Sequence, residues 1–209
     1  MNENTPEPAE NDAELPDIEF QSPGRFSVHN PAPAQAQSPG WEPAPFRLGE
    51  HERMERFSAP DGARAHALAL MQQARRLLCI YSPDLEPWLY HNSAIQEACT
   101  RLLISDPKCQ MRILVRDLSR AVKDGHRLLS LSRRLSSNFQ IRRINPDHPS
   151  EDLAYLIADD RGLLVRPETG QFAGYTLYND PGRTRLQQTR FDQAWDLSIT
   201  DPDLRSFLL

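Results

Sequence analysis

The sequence predicts an α/β domain with a mainly parallel sheet, flanked by helices and closed by a C-terminal hairpin. Three observations lead there. Between about residues 61 and 144, short apolar runs alternate with segments of helical apolar spacing, the pattern of strands joined by crossover helices. The first run, Leu77-Leu78-Cys79-Ile80-Tyr81, has no polar alternation, as a strand buried on both faces requires. Beyond residue 150 two apolar runs flank Asp159-Asp160-Arg161-Gly162, a Gly-containing hairpin turn.

Taken in order, Asp61 is placed to cap a helix running to about Arg76, with Ala63, Leu68, Leu70 and Met71 for its apolar face. The strand Leu77–Tyr81 stops at Ser82-Pro83-Asp84, which is turn chemistry. A second helix spans about Ser93 to Ile104, and a second strand follows in Gln110–Arg116. A third helix runs from about Arg120 to Leu135, with Leu128, Leu129, Leu131 and Leu135 on one side, before a third strand at Phe139–Ile144. Strands separated by such helices form parallel sheets with right-handed crossovers. The hairpin Leu153–Ala158 and Leu163–Arg166, a strand around Phe172 to Tyr178 and a helix from about Arg183 to Leu197 complete the domain. That last helix directs Leu186, Phe191, Ala194 and Trp195 inward.

Charge and proline divide the chain. Residues 1–45 hold eight acids, one base (Arg25) and nine of the 18 prolines. With few apolar residues this stretch cannot offset its ordering entropy, so it reads as a disordered acidic tail ahead of a domain at 46–209. Two readings of Trp41-Glu-Pro-Ala-Pro-Phe46 are open: a short docking motif, or a linker packed on its own domain. The remaining 164 residues carry 23 bases and 21 acids. Cys79, Cys99 and Cys109 have no disulfide or zinc spacing and read as reduced, buried thiols; no metal site or cofactor is expected. No apolar run approaches the roughly 20 residues that span a membrane. The acidic N-terminus is no secretory signal, so the expected location is the cytoplasm.

These elements carry a resemblance to one half of a phospholipase-D-like domain, over about residues 64–198. Its marks are Tyr81-Ser82-Pro83 closing the first strand, Met111–Val115, Phe139-Gln140-Ile141, the hairpin with Leu156-Ile157-Ala158-Asp159-Asp160, and Phe191-Asp192-Gln193-Ala194-Trp195. The chain also resembles an uncharacterised proteobacterial domain of this type. The resemblance implies a His-x-Lys motif with an Asp five residues beyond the Lys, in which the His attacks phosphorus and the Lys stabilises the oxyanion. This chain has two lysines, Lys108 and Lys123, preceded two positions earlier by Asp106 and Ala121. Aligning Asp159 with the family Asp puts Asp152 and Ala154 at the His and Lys positions; aligning Asp160 puts Leu153 and Tyr155 there. Phospholipase-D-type catalysis is excluded either way, and no catalytic residue is assigned: the chain reads as a pseudoenzyme. Asp159 and Asp160 read as turn residues. Pairing of half-domains in this family implies a homodimer.

What remains is a basic run. From Arg112 to Arg143, nine bases (Arg112, Arg116, Arg120, Lys123, Arg127, Arg133, Arg134, Arg142 and Arg143) face two acids, Asp117 and Asp124. Arg suits phosphate recognition. A solvated helix face, a site for nucleic acid or a phosphorylated ligand, and a dock for the acidic tail are all open readings. The lack of interleaved aromatics counts against single-strand stacking. Parallel sheets bind ligands beyond the carboxyl ends of their strands, which points to Ser82, Arg116, Asp117, Arg143 and Asn179, with His126 and Arg127 beside them. The leading expectation is a non-catalytic binding or scaffolding module for a protein or an anionic, phosphate-bearing ligand. The alternatives are a nucleic-acid binder using the basic run, and an enzyme acting on a phosphate-bearing substrate through a remodelled site of Arg116, Asp117, His126 and Asn179.

Overall fold

The structure, a computed structural model, describes residues 41–147 and 152–200. Its elements are β1 (Glu55–Phe57), α1 (Pro60–Gln73), β2 (Leu77–Ser82), α2 (Pro87–Tyr90), α3 (Ser93–Ser105), β3 (Gln110–Val115) and α4 (Ser119–Lys123). They continue with α5 (Arg127–Arg134), β4 (Phe139–Arg143), β5 (Ala154–Ala158), β6 (Gly162–Arg166), β7 (Gly174–Leu177) and α6 (Pro181–Asp196). Seven strands form one sheet in the order β1-β7-β6-β5-β2-β3-β4.

The sheet is mixed rather than mainly parallel. Only β2, β3 and β4 run parallel; β5, β6, β7 and β1 join antiparallel. Connection length explains it. A parallel return needs a crossover of a dozen or more residues, generally a helix. Helices α3 and α4–α5 supply that between the first strands, whereas residues 144–153, 159–161 and 167–173 are too short, so each later strand turns back on its neighbour.

Both faces of β2 are buried, as its unbroken apolar run requires. Leu78 and Ile80 join α1, α3 and α5 in the larger core, with Met111, Ile113, Phe139 and Ile141. Cys79 and Tyr81 face the other way, packing with Leu114, Tyr155 and Ile157 under Phe191, Ala194 and Trp195 of α6. All three cysteines are buried.

Four local expectations are corrected. Helix α1 starts at Pro60, and Asp61 ion-pairs with Arg64 instead of capping. The third predicted helix is broken into α4 and α5, because Gly125 turns the chain at φ 63° and His126 becomes the N-cap of α5. Leu186 points outward, 57% exposed, while Phe191, Ala194 and Trp195 are buried as expected. Trp41 and Ala44, assigned to the tail, pack on the larger core with Phe46 and Leu48, and the Ala44 amide donates to the Ala65 carbonyl at 3.0 Å. The linker packed on its own domain is therefore the reading that fits Trp41–Phe46, and the folded part begins before residue 46. The rest of the predicted tail, residues 1–40, lies outside the described residues.

Candidate functional site

The carboxyl ends of β2 and β3 are tied together. The amides of Arg116 and Asp117 donate to the Pro83 carbonyl at 3.1 and 2.9 Å. Above them opens a cleft of about 460 Å³, lined by Asp84, Trp88, Arg116, Asp117, Arg120 and Thr169 among others. Asp117 accepts from the amide and hydroxyl of Ser119 at 2.9 and 2.7 Å. Those bonds hold its carboxyl below the usual range, with the charge of Arg143 adding to the effect.

Behind the cleft lies a buried charge network. The chain leaves β2 through Leu85 and Glu86, both in the left-handed region at φ 65° and 35°, where side-chain-bearing residues are strained. This bend turns the Glu86 carboxylate inward onto the guanidinium of Arg166. Ser82 donates to the same carboxylate at 3.2 Å. Arg166 directs its other N–H groups to the carbonyls of Thr169 (2.8 Å) and Gln171 (3.1 Å) and lies 4.8 Å from the Trp88 ring centroid. Burial lowers its pKa. Phe172 meets Trp88 edge-on at 4.9 Å. One buried guanidinium thus holds the whole 167–173 loop against the cleft wall.

This is also where the missing motif would stand under the Asp159 alignment. Ala154 lies directly opposite Arg166 across β5 and β6, and Asp152 accepts a hydrogen bond from the Thr169 hydroxyl. Neither the histidine nor the lysine of that motif stands at these positions. Asp159 plays a structural part instead. Its carboxylate accepts from the amides of Arg75, Arg76 and Leu77 at 2.8–3.0 Å.

The seven residues singled out from sequence do not converge. Arg116 and Asp117 line the cleft; Ser82 is fully buried behind it, and Arg143 sits at the end of β4 within electrostatic reach of Asp117. His126 is a buried cap whose Nδ1 accepts from the Leu128 amide at 3.2 Å, 5.0 Å from the His91 ring. Burial, with His91 adding to it and the Leu85 carbonyl opposing it, lowers the His126 pKa to about 4. Arg127 faces α3, donating to Gln96 at 3.2 Å. Asn179 is at the opposite end of the sheet, accepting from Arg161 at 3.3 Å, because β7 runs antiparallel to β6 and finishes at the end of the sheet where β2 starts. A larger hollow of about 610 Å³, lined by Arg47, Arg75 and Arg161 among others, opens at that end; Arg47 and Arg161 pair with Glu50 and Asp160 there, as Arg120 pairs with Asp124 at the cleft.

The basic run is dispersed as well. Arg112 pairs with Asp192 at 2.9 Å and lies over Phe191 and Trp195. Arg142 stacks on Trp195 at 4.4 Å. Both are engaged by α6, while Arg116 and Arg120 rim the cleft. Sequence reasoning missed Glu86, Trp88 and Arg166. A charge ending the buried run Leu163-Leu164-Val165 was the available signal, since such a charge demands a partner.

A family model, described as a domain of unknown function (DUF7931), matches residues 59–207. The chain belongs to the DUF7931 family. No curated protein matches it. Among solved structures it is similar to TrmBL2, an archaeal chromatin protein whose structure is described as showing a novel mode of DNA binding. That match has 13% identity and TM-score 0.55, covering 73% of this chain and 55% of TrmBL2. It is similar to NucT from Helicobacter pylori at 9% identity and TM-score 0.52, covering 71% and 99%. A third match is Nuc from Salmonella typhimurium, a phospholipase D family member, at 13% identity and TM-score 0.49, covering 70% and 95%. The chain spans about half the length of TrmBL2. At these identities the likeness is one of fold: the chain shares the α/β architecture of TrmBL2 and NucT over 73% and 71% of its length, respectively. Among the described residues, no helix is long and apolar enough to cross a membrane.

Proposed function

We propose that this DUF7931 chain is a non-catalytic binding module built on a single degenerate phospholipase-D-like half, and that it recognises an anionic, phosphate-bearing ligand at the cleft between Trp88 and Arg116. The observation that carries this is the concentration of costly features directly behind the cleft. Two consecutive strained residues and a buried ion pair are each unfavourable unless the surroundings enforce them. Here they fix one wall of an open cleft whose other wall presents Arg116 and Arg120, while the nucleophile and cation of the family's chemistry are absent. Remodelled catalysis through Arg116, Asp117, His126 and Asn179 is disfavoured because His126 is buried and Asn179 is at the far end. A cytoplasmic location and a homodimer belong to the same reading and rest on sequence and resemblance.

Nucleic-acid binding is the second reading, favoured by the DNA-binding description of TrmBL2 and opposed by the dispersal of the basic run over separate faces. Titration of the full chain with inorganic phosphate, single-stranded RNA and duplex DNA at low and moderate salt separates the two. The proposal expects binding weakened in both Arg116→Ala and Arg120→Ala, with no phosphodiester turnover. Turnover, or affinity indifferent to both substitutions, overturns it. Tight polymer binding with a steep salt dependence favours the second reading, since each neutralised phosphate releases counterions.

A further inference from the structure

Helix α6 turns polar atoms inward over its first half. Its one leucine, Leu186, is 57% exposed, while Thr184 is 1% exposed. Apolar packing on the sheet begins only at Phe191. Ahead of it, Thr184 Oγ1, Gln187 Nε2 and Gln188 Oε1 are closed to solvent and have no hydrogen-bond partner. Spaced at i, i+3 and i+4, these three share one face of the helix. Buried polar atoms are nearly always paired, and each one left unpaired costs its desolvation. The Gln188 amide is fixed in orientation: its Nε2 donates to Asp192 at 3.0 Å, and the same carboxylate oxygen receives Arg112 at 2.9 Å. Its Oε1 is thereby left as an acceptor. Burial pushes the neighbouring Cys79 thiol up to about 11, so it stays protonated, and an S–H is a weak donor. Thr184 and Gln188 line a hollow of about 380 Å³, with Leu77, Asp160, Arg76 and Arg185 among its other walls.

We propose that this hollow, at the opposite end of β2 from the Trp88–Arg116 cleft, binds a small carboxylic acid that carries its own O–H or N–H donor on an apolar chain. The donor is what Gln188 Oε1 lacks, and the Thr184 hydroxyl can give or take a hydrogen bond beside it. Leu77 supplies the apolar wall. Arg76 and Arg185 are exposed at the mouth, where a guanidinium can grip a carboxylate with two parallel hydrogen bonds. Asp160, the acid of that rim, already pairs with Arg161 at 3.5 Å. A site whose buried polar atoms are satisfied only on binding rejects an analogue that lacks the donor. That cost in the free chain explains why α6 buries a threonine and glutamines where leucine would pack better. A hydroxy acid and an amino acid both carry this chemistry. A buried water would answer the same atoms, and experiment separates it from a ligand.

The test is an NMR titration of the full chain, read at the Leu77, Thr184 and Gln188 amides. The probes are leucine, its hydroxy analogue leucic acid, and isocaproate, which has the same chain and no donor. The proposal expects leucine or leucic acid to shift these amides with millimolar or tighter affinity, and whichever binds names the donor. Isocaproate is expected to bind about tenfold more weakly, the weight of one hydrogen bond. Thr184→Val keeps the shape and removes the hydroxyl. It should weaken binding by about tenfold yet melt no lower than the parent, because it discards an unpaired polar atom. Thr184→Ser should restore binding, and Arg185→Ala should weaken it. Arg116→Ala, at the other end of the sheet, should leave it unchanged, so this site stands or falls apart from the cleft. No shift at the three amides up to tens of millimolar leaves the hollow to water and overturns the proposal. So does isocaproate binding as tightly as leucic acid and leucine, or full affinity in Thr184→Val.

Discussion

Arg166 and Glu86 are 80 positions apart in sequence and form an ion pair almost closed to solvent, 1% and 3% exposed. Buried pairs are rarely a net gain over apolar packing, but removing one partner strands the other charge, which costs about 3–5 kcal/mol. Glu86→Ala is expected to lose that much in urea unfolding. Glu86→Ala combined with Arg166→Met is expected to recover most of it, because no charge is then left buried. A single variant within about 1 kcal/mol of the parent would show that the pair is hydrated, and with it the cleft wall.

A second expectation concerns acid. His126 has a folded pKa lowered to about 4, chiefly by burial, against about 6.5 for an unfolded histidine. The unfolded chain therefore takes up a proton first. Stability from keeping this ring neutral is complete above about pH 6.5 and declines towards pH 4, by about 3 kcal/mol. His66, also lowered mainly by burial, acts in the same direction. His126→Asn keeps an acceptor for the Leu128 amide without the titration. Its stability should fall less steeply between pH 6.5 and 4, and a parallel fall would mean that His126 titrates normally.

The parts of this fold that were legible in sequence are those governed by local periodicity. The apolar run 77–81, the hairpin turn at Asp159–Gly162 and the inward Trp195 were readable because each is set by neighbours within a few residues. The placement of Asn179 away from Ser82 is not legible locally, because strand direction depends on connection length, and the ten residues 144–153 between β4 and β5 are too few for a parallel crossover. Glu86 escaped notice for a related reason. Its partner lies on β6, and its inward orientation comes from a left-handed bend at Leu85–Glu86 that no glycine announces.

The packed N-terminal segment gives a third expectation. Trp41 lies 5.1 Å from the guanidinium of Arg64, which also donates to the Trp88 carbonyl at 2.9 Å. Trp41→Ala removes a partly buried ring and a cation–π contact, so a loss of about 1–3 kcal/mol is expected, below the cost of emptying a fully buried aromatic site. Thermal unfolding reads it out. No change would detach residues 41–45 from the domain.

Trp195 tests the other face of the sheet. It stacks on Phe191 at 5.7 Å and carries Arg142 on its ring. Trp195→Ala should cost about 3–5 kcal/mol, the range for a buried aromatic. It should also release Arg112 and Arg142, making the α6 side more susceptible to proteolysis. A cost within error would mean that α6 does not seal this core.

Asp159 offers the sharpest separation of backbone from side-chain effects. Its φ of 54° lies in the left-handed region, and its carboxylate accepts three amides where α1 gives way to β2. Asp159→Gly relieves the backbone cost but abandons all three donors, and Asp159→Ala abandons them as well while keeping the backbone cost. Asp159→Asn tolerates the backbone and keeps one oxygen. Losses should therefore rank Asn below Gly below Ala, with Ala at about 2–4 kcal/mol. If Gly matched the parent in urea unfolding, the aspartate would be present for its backbone conformation alone. If Gly and Ala were equal, the three hydrogen bonds would account for its whole contribution.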